Sequence, residues 1–365
     1  MTAIRDIIAH LETIAPPSYQ ENYDNAGLIV GDAERPFEKA LLCLDSTEEV
    51  VDEAIEKGCN LVIAHHPIVF KGLKKFNGKN YIERTVMKAI KHDIAIYACH
   101  TNLDNVHNGV SAKICEAIGL VNCEILKPKT GLLKKLFTYI PLESVESVRG
   151  AIFDAGAGVI GEYDRCSFNV EGYGTFRGSD ASNPTVGEIG SLHKEPEVKV
   201  EMVFPSIIQS RVIAALTKAH PYEEVAYDVV SLDNAFARVG AGMVGELESE
   251  MDELEFLQMI KSKMQTDCVR YTGLLEREVK RVAVCGGSGS FLLRDAIRAG
   301  ADVFITADFK YHQFFDADGK IVIADIGHFE SEQFTINLFH EILTQKFHTF
   351  AFLFSKTNTN PIKYL

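Results

Sequence analysis

Residues 39–66 read KALLCLDSTEEVVDEAIEKGCNLVIAHH, and residues 281–308 read RVAVCGGSGSFLLRDAIRAGADVFITAD. Overlaid without a gap, they share the cysteine after the first apolar run and a serine in the loop that follows. They also share Ala-Ile in a helical stretch, the glycine that closes it and an isoleucine in the second apolar run. Each copy reads strand, loop, helix, glycine stop, strand, which is a βαβ unit with a parallel strand pair. Agreement in element order as well as residues identifies an internal repeat. A chain that contains this unit twice is committed to an α/β fold, in which ligands collect beyond the carboxyl ends of the parallel strands.

The correspondence extends to IAIYACHTNLD (94–104) and VIADIGHFESE (322–332) with one further shift, which lays His100 over His328 and Asp104 over Glu332. Both copies then end a strand on His-x-x-x-acid. The strand ends so defined hold His65, His66, Asp104, Asp308, His328 and Glu332.

Between the repeats the texture changes. KKLFTYIP leads to a helix around 143–155, strands near 165–173 and 197–204, the helix SIIQSRVIAALTKAH and the strand VAYDVVSL. The order βαββαβ is the ferredoxin-like pattern. The predicted organisation is therefore residues 1–130 and 236–365 as two halves of one α/β domain, interrupted by a ferredoxin-like α+β insert over 131–235. At 365 residues the chain is longer than one core usually supports, which agrees with such an insertion.

A net charge of −14 argues against non-specific nucleic-acid binding. MTAIRDIIAHLETIA has polar residues at helical spacing, so it reads as an amphipathic helix rather than a signal peptide. No run approaches the roughly 20 apolar residues of a membrane span. The eight cysteines are scattered and form no Cys-x-x-Cys pair, which fits buried thiols in a reducing, cytoplasmic compartment.

Adjacent side chains in an extended strand point in opposite directions. His65 and His66 are thus poorly placed to chelate one ion, but each can reach a different ion of a close pair. His328 and Glu332 are four apart at the start of a helical stretch and share one face. With Asp104 they make a set of three imidazoles and two carboxylates. That set suits Zn²⁺ foremost, with Mn²⁺ and Fe²⁺ compatible, and lacks the thiolates of a structural zinc site. Two divalent ions outweigh two carboxylates in charge, and five ligands leave open positions for water or a phosphate oxygen.

Ligating histidines need a partner on the other ring nitrogen, so Asp45, Ser46, Asn25, Asp308 and His312 are candidates to orient a ring or transfer a proton. A structural role is the competing reading for His100, His107 and His312. CGGSGS (285–290) follows a strand and offers either an anion cradle or a tight turn. GYGTFRG (172–178) reads as a hairpin turn in preference to a ligand loop.

Several stretches resemble one family: YDNAGLIVGD (23–32), LDSTEEVVDEAIEKG, the AHHP box, HTNLDN, GADVFITADFKYH, GHFESE and the terminal NTNP. The chain is similar to the Nif-three-like family, whose bacterial members are often labelled GTP cyclohydrolase 1 type 2 homologues. The resemblance implies two metal ions at His65, His66, Asp104, His328 and Glu332, with Glu332 bridging. It implies His66 and Asp104 on one ion, and His65 and His328 on the other. It also implies a CutA/PII-like insert, for which HPYEEVAYDVV is the clearest match, and a homohexameric ring with the metal sites facing an internal cavity.

The activity implied is metal-dependent hydrolysis of GTP, opening the guanine imidazole ring with loss of formate. His312 or His100 would move protons, and Asp308 would support them. A competing expectation is a non-catalytic metal-binding or regulatory protein whose insert senses a ligand or recruits a partner.

Overall fold

The structure, a computed structural model, describes residues 2–365. The chain divides into two compact units. One comprises the described residues up to Pro128 together with Arg238–Leu365, and the other is Lys129–Ala237.

The first unit contains two sheets. The five-stranded sheet runs in the order Gly27–Val30, Ala95–Ala98, Leu61–His66, Lys39–Asp45, Ala351–Phe354. All neighbours in it are parallel except the edge strand Gly27–Val30. The six-stranded sheet runs Arg270–Tyr271, Val322–Asp325, Val303–Ala307, Glu278–Ser288, Phe236–Asp252, Val121–Lys129. Its parallel centre is formed by Glu278–Ser288, Val303–Ala307 and Val322–Asp325.

The central strands read as continuous apolar runs because helices or loops cover both faces of a parallel sheet. Leu61, Val62, Ile63 and Ala64 are fully buried, as are Val303, Phe304, Ile305 and the run Val322–Ala324. Among the described residues no helix is long and apolar enough to cross a membrane. Cys43, Cys59, Cys99, Cys115 and Cys285 are buried, the other three cysteines are half-buried, and all are unbridged.

The repeat is visible in strand register. Ala40 faces Leu61 in one sheet and Val282 faces Val303 in the other, the same partners that the gapless overlay matches. The third strand departs from the overlay by one residue. Leu61 faces Ala95 whereas Val303 faces Val322, so Ala95, and not Ile94, is the counterpart of Val322. His100 accordingly matches Gly327 rather than His328, and Asp104 matches Ser331 rather than Glu332. Hydrogen-bonded register, not side-chain likeness, decides equivalence in a sheet. The two acids are delivered by the short helices Thr101–Asp104 and His328–Glu332, one residue out of step.

In the second unit the strands Leu133–Pro141, Phe168–Phe176, His193–Pro205 and Tyr227–Leu232 and the helices Val145–Asp154 and Gln209–Ala219 follow in the order βαββαβ. The sheet order is Phe168–Phe176, His193–Pro205, Leu133–Pro141, Tyr227–Leu232, antiparallel throughout. Alternation sends Leu136, Ile140, Val198, Val200 and Met202 to one face, where Val148, Ile152, Val212 and Leu216 of the two helices bury them. GYGTFRG lies mostly within Phe168–Phe176 and is not a hairpin turn. Its neighbour strand pairs with it residue for residue as far as Phe176.

Candidate metal centre

His65 and His66 end the strand Leu61–His66, and the alternation of that strand sends them to different partners. His65 is fully buried, and its Nδ1 donates to the Cys99 carbonyl at 2.9 Å. That bond fixes the tautomer and leaves Nε2 with a free lone pair. Nδ1 of His66 lies 2.8 Å from Asp45 Oδ1, and Nδ1 of His328 lies 2.7 Å from Asp308 Oδ2. All three imidazoles are therefore anchored through Nδ1 and present Nε2 inward, as ligating histidines do. Asp308 reaches His328 from a left-handed backbone position, φ 60°, which asparagine and aspartate adopt more readily than most residues.

Glu332 stands between the rings. Its Oε2 is 2.9 Å from His66 Nε2 and 3.2 Å from His328 Nε2, while its Oε1 is 3.6 Å from His65 Nε2. Asp104 Oδ1 is also 3.6 Å from His65 Nε2. Three three-residue groups result, His65–Asp104–Glu332, His66–His328–Glu332 and His65–His66–His100, each with its donor atoms within 4.8 Å of one another. The expected pairs were His66 with Asp104 and His65 with His328; the two Glu332-containing groups instead bring His65 near Asp104 and His66 near His328. His65 points towards Cys99 and Asp104, whereas His66 points towards Asp45 and His328.

The donor set fits a metal on a direct observation. His65 Nε2 and Asp104 Oδ1 are buried without a hydrogen-bond partner, which is costly unless something else meets them. The electrostatics of the cluster point the same way. Burial raises the Asp104 carboxyl well above its usual range, and the neighbouring charge of Glu332 adds to this. Burial opposes ionisation of Glu332 too, but the imidazoles of His65, His66 and His328 outweigh it and hold that carboxyl well below the usual range. Burial lowers His65. For His66 and His328 burial is overcome by their carboxylate partners, which push them up to about 10 and about 11. The buried carboxylates thus demand positive charge, and a cation would displace the protons that otherwise supply it.

CGGSGS packs against the Glu332 carboxylate. A Cβ on Gly287 would lie 2.3 Å from Glu332 Oε1, and its φ of +60° disfavours any side chain. The Gly287 amide donates to Ser331 Oγ, which steadies the helix that carries Glu332.

The remaining candidates divide. His100 lies beside the centre, its ring edge-on to His65 and to His66 at 5.3 Å each, and Nδ1 2.7 Å from Asp24 Oδ1. Asp45 and Asp308 orient ligand rings as described. His312 does not reach the cluster. It is exposed, packs against the Tyr311 ring at 5.2 Å, and belongs to no metal-competent group among the described residues. His107 bonds its neighbour Asn108, and Asn25 donates to the Val69 carbonyl. Ser46 is buried with its hydroxyl unpartnered.

Two contributors escaped sequence reasoning. Asp24 receives His100, the Thr101 amide and the Thr101 hydroxyl. Burial opposes its charge, but these bonds hold it down at about 2. Thr359 donates to Asp45 Oδ2 at 2.6 Å. Both lie in stretches noted for family resemblance, YDNAGLIVGD and the terminal NTNP, and that was the only signal available.

Comparison with known proteins agrees with this architecture. The profile of the family described as Duf34/NIF3 (NGG1p interacting factor 3) matches residues 2–361. A Bacillus subtilis protein named GTP cyclohydrolase 1 type 2 homolog is 41% identical over 367 residues, covering 99% of this chain and 98% of that protein. A Halalkalibacterium halodurans protein of the same name is 40% identical over 325 residues, covering 88% and 87%. Among solved structures, a Bacillus cereus protein related to NIF3 superposes with a TM-score of 0.88 at 37% identity, covering 100% of this chain and 99% of that one.

Proposed function

The chain belongs to the Duf34/NIF3 family, and on that premise we propose that its centre holds two divalent metal ions, Zn²⁺ foremost with Mn²⁺ or Fe²⁺ compatible, and hydrolyses a nucleotide. The single observation that supports two ions is Glu332, which belongs to two of the three-residue groups and turns one oxygen to each. Ions bound there would supply Lewis acidity for polarising a substrate oxygen and activating water.

The chain's own residues supply orientation and proton handling. The pairs Asp45–His66 and Asp308–His328 and the Cys99 carbonyl on His65 hold three rings rigid, so the donor atoms need no reorganisation. Asp24, ionised down to a pH of about 2, keeps the proton of His100 on Nδ1 and leaves Nε2 to accept or return a proton at the edge of the centre. His100 is thus the proton-transfer residue of this proposal, in place of His312.

The name shared by the relatives makes GTP the substrate to try first. Formate release from GTP by zinc-loaded protein is compared with the Glu332→Ala variant and with chelator-treated protein. The reading predicts release that is lost in both controls. Formate at or below the level of the Glu332→Ala variant, from protein shown to contain two metals, would exclude GTP ring opening. We also propose a homohexamer, as the family resemblance implies. Light scattering that gave a single species of one chain's mass at micromolar concentration would overturn it.

A further inference from the structure

Independently of the metal centre, we infer that the Lys129–Ala237 unit binds a small organic cation, an amidinium or guanidinium group lying flat in a glycine trough beside Glu197. The two helices of this unit cover one face of its sheet, the face of Val198, Val200 and Met202. Alternation turns Glu197 to the opposite face, where Gly172 pairs with it directly and Gly174 pairs with Glu195. Glycine inside a strand weakens it, and often marks a place where something else approaches the backbone. At Gly174 the reason is within the chain, since a Cβ there would lie 2.2 Å from Glu197 Oε2. At Gly172 a Cβ would meet nothing within 4 Å. The trough is open space.

That space is a cavity of about 550 Å³ lined by both glycines, Glu197, Tyr139, Phe176 and Tyr222. Two loops are tied together at its rim. The Asn183 amide donates to Glu223 Oε1 at 2.9 Å, and Thr185 Oγ1 donates to the Pro221 carbonyl at 2.8 Å. The rings of Phe176 and Tyr222 stand 6.0 Å apart.

Glu197 is only 8% exposed. Two basic residues share the cavity lining and neither forms an ion pair with Glu197 among the described residues: Lys199 is paired with Glu201 at 2.9 Å and sits 4.6 Å from the Phe137 ring centre, and Arg177 is exposed. The Tyr222 hydroxyl is buried beside it and is its neutral neighbour, supplying no charge. A buried carboxylate without a cation is unfavourable until one arrives. A planar N–H-bearing cation would give it two charge-assisted hydrogen bonds and would stack on the aromatic walls. Few, convergent polar groups in an otherwise apolar concavity are the usual form of a small-molecule site.

The test titrates benzamidine into the full-length protein by calorimetry, with the neutral near-isostere benzamide as control. Saturable benzamidine binding is expected with a Kd on the order of 1 mM, as suits a fragment of this size, and benzamide should bind at least about tenfold more weakly. Glu197→Gln, which keeps shape and removes charge, should weaken benzamidine roughly tenfold or more. Gly172→Val, which fills the trough, should abolish binding. Circular dichroism and resistance of the Lys129–Ala237 unit to limited proteolysis, both equal to the parent's, verify that each variant has folded. Absence of saturable binding overturns the inference, and a second copy of this chain seated on the face would give that result. Equal binding of benzamide, or unchanged binding by both variants, overturns it as well.

Discussion

Thr359 Oγ1 donates to Oδ2 of Asp45, and the other carboxylate oxygen of Asp45 holds Nδ1 of His66. A residue six positions from the end of the chain therefore helps to aim a ligand on a strand that begins near residue 60. Asp45→Asn should weaken metal binding about 10- to 100-fold, the range for partners of ligating histidines. Thr359→Val acts one bond further out and should weaken it less. Competition against a chromophoric chelator measures both. A Thr359→Val protein that bound metal more weakly than Asp45→Asn would show that the chain end acts by another route.

The grouping of ligands predicts which ion is lost with which side chain. Asp104→Ala removes a donor from the His65–Asp104–Glu332 group alone, and His328→Ala from the His66–His328–Glu332 group alone. Each variant should retain about one metal per chain, whereas Glu332→Ala should fall towards none. Elemental analysis of protein with parent-like circular dichroism decides this. Two metals retained by Glu332→Ala would remove the bridging role.

Glu53 ties down the segment that carries Thr359. Its carboxylate accepts from the Ser355 hydroxyl, the Lys356 amide and the Thr357 amide and hydroxyl, and pairs with Lys57 at 2.5 Å. Burial works against its charge, but these partners hold it at about 2, below its ordinary 4.5. A depressed carboxyl contributes stability that is present above its unfolded value and is lost as pH falls through the folded one. Thermal stability should thus decline between about pH 4.5 and pH 2. Glu53→Gln should be less stable than the parent at pH 7, and the difference should vanish near pH 2. A constant difference across that range would mean the ion is not what matters.

The strands Val121–Lys129 and Phe236–Asp252 are neighbours in the six-stranded sheet. The chain can consequently be rejoined between Pro128 and Arg238 by a short linker. The shortened protein should fold and keep the metal content of the parent, because all five ligands lie outside Lys129–Ala237. A folded, metal-free product would count against an independent insert.

Much of the centre was legible because parallel strands are apolar until they end, so that polar residues such as His65 and His66 stand out where the run stops. His328 and Glu332 were legible from helical spacing. Which donor atoms come together was not. It depends on which way His65 and His66 turn at the strand end, and sequence says only that they turn apart. The equivalence of His100 and His328 failed because similar side chains on helices of different phase outweighed register in the overlay. Asp24 and Thr359 act across 76 and 314 residues of sequence, and no local pattern marks a carboxylate or hydroxyl for a partner so distant. His312 was a candidate to orient a ring or transfer a proton, yet the turn of 3₁₀-helix Tyr311–Ala317 leaves its ring outside.

The order of the ligands along the chain has a consequence for biosynthesis. His65, His66 and Asp104 are translated before the intervening Lys129–Ala237 unit, and His328 and Glu332 only after it. Ala351–Phe354, which flanks Lys39–Asp45 in the five-stranded sheet, emerges later still. A nascent chain thus holds two members of the group His65–Asp104–Glu332 and one of His66–His328–Glu332 until the later residues are made, and completes neither before Glu332. A product truncated before His328 would lack the second part of the cluster and leave His65, His66 and Asp104 without Glu332.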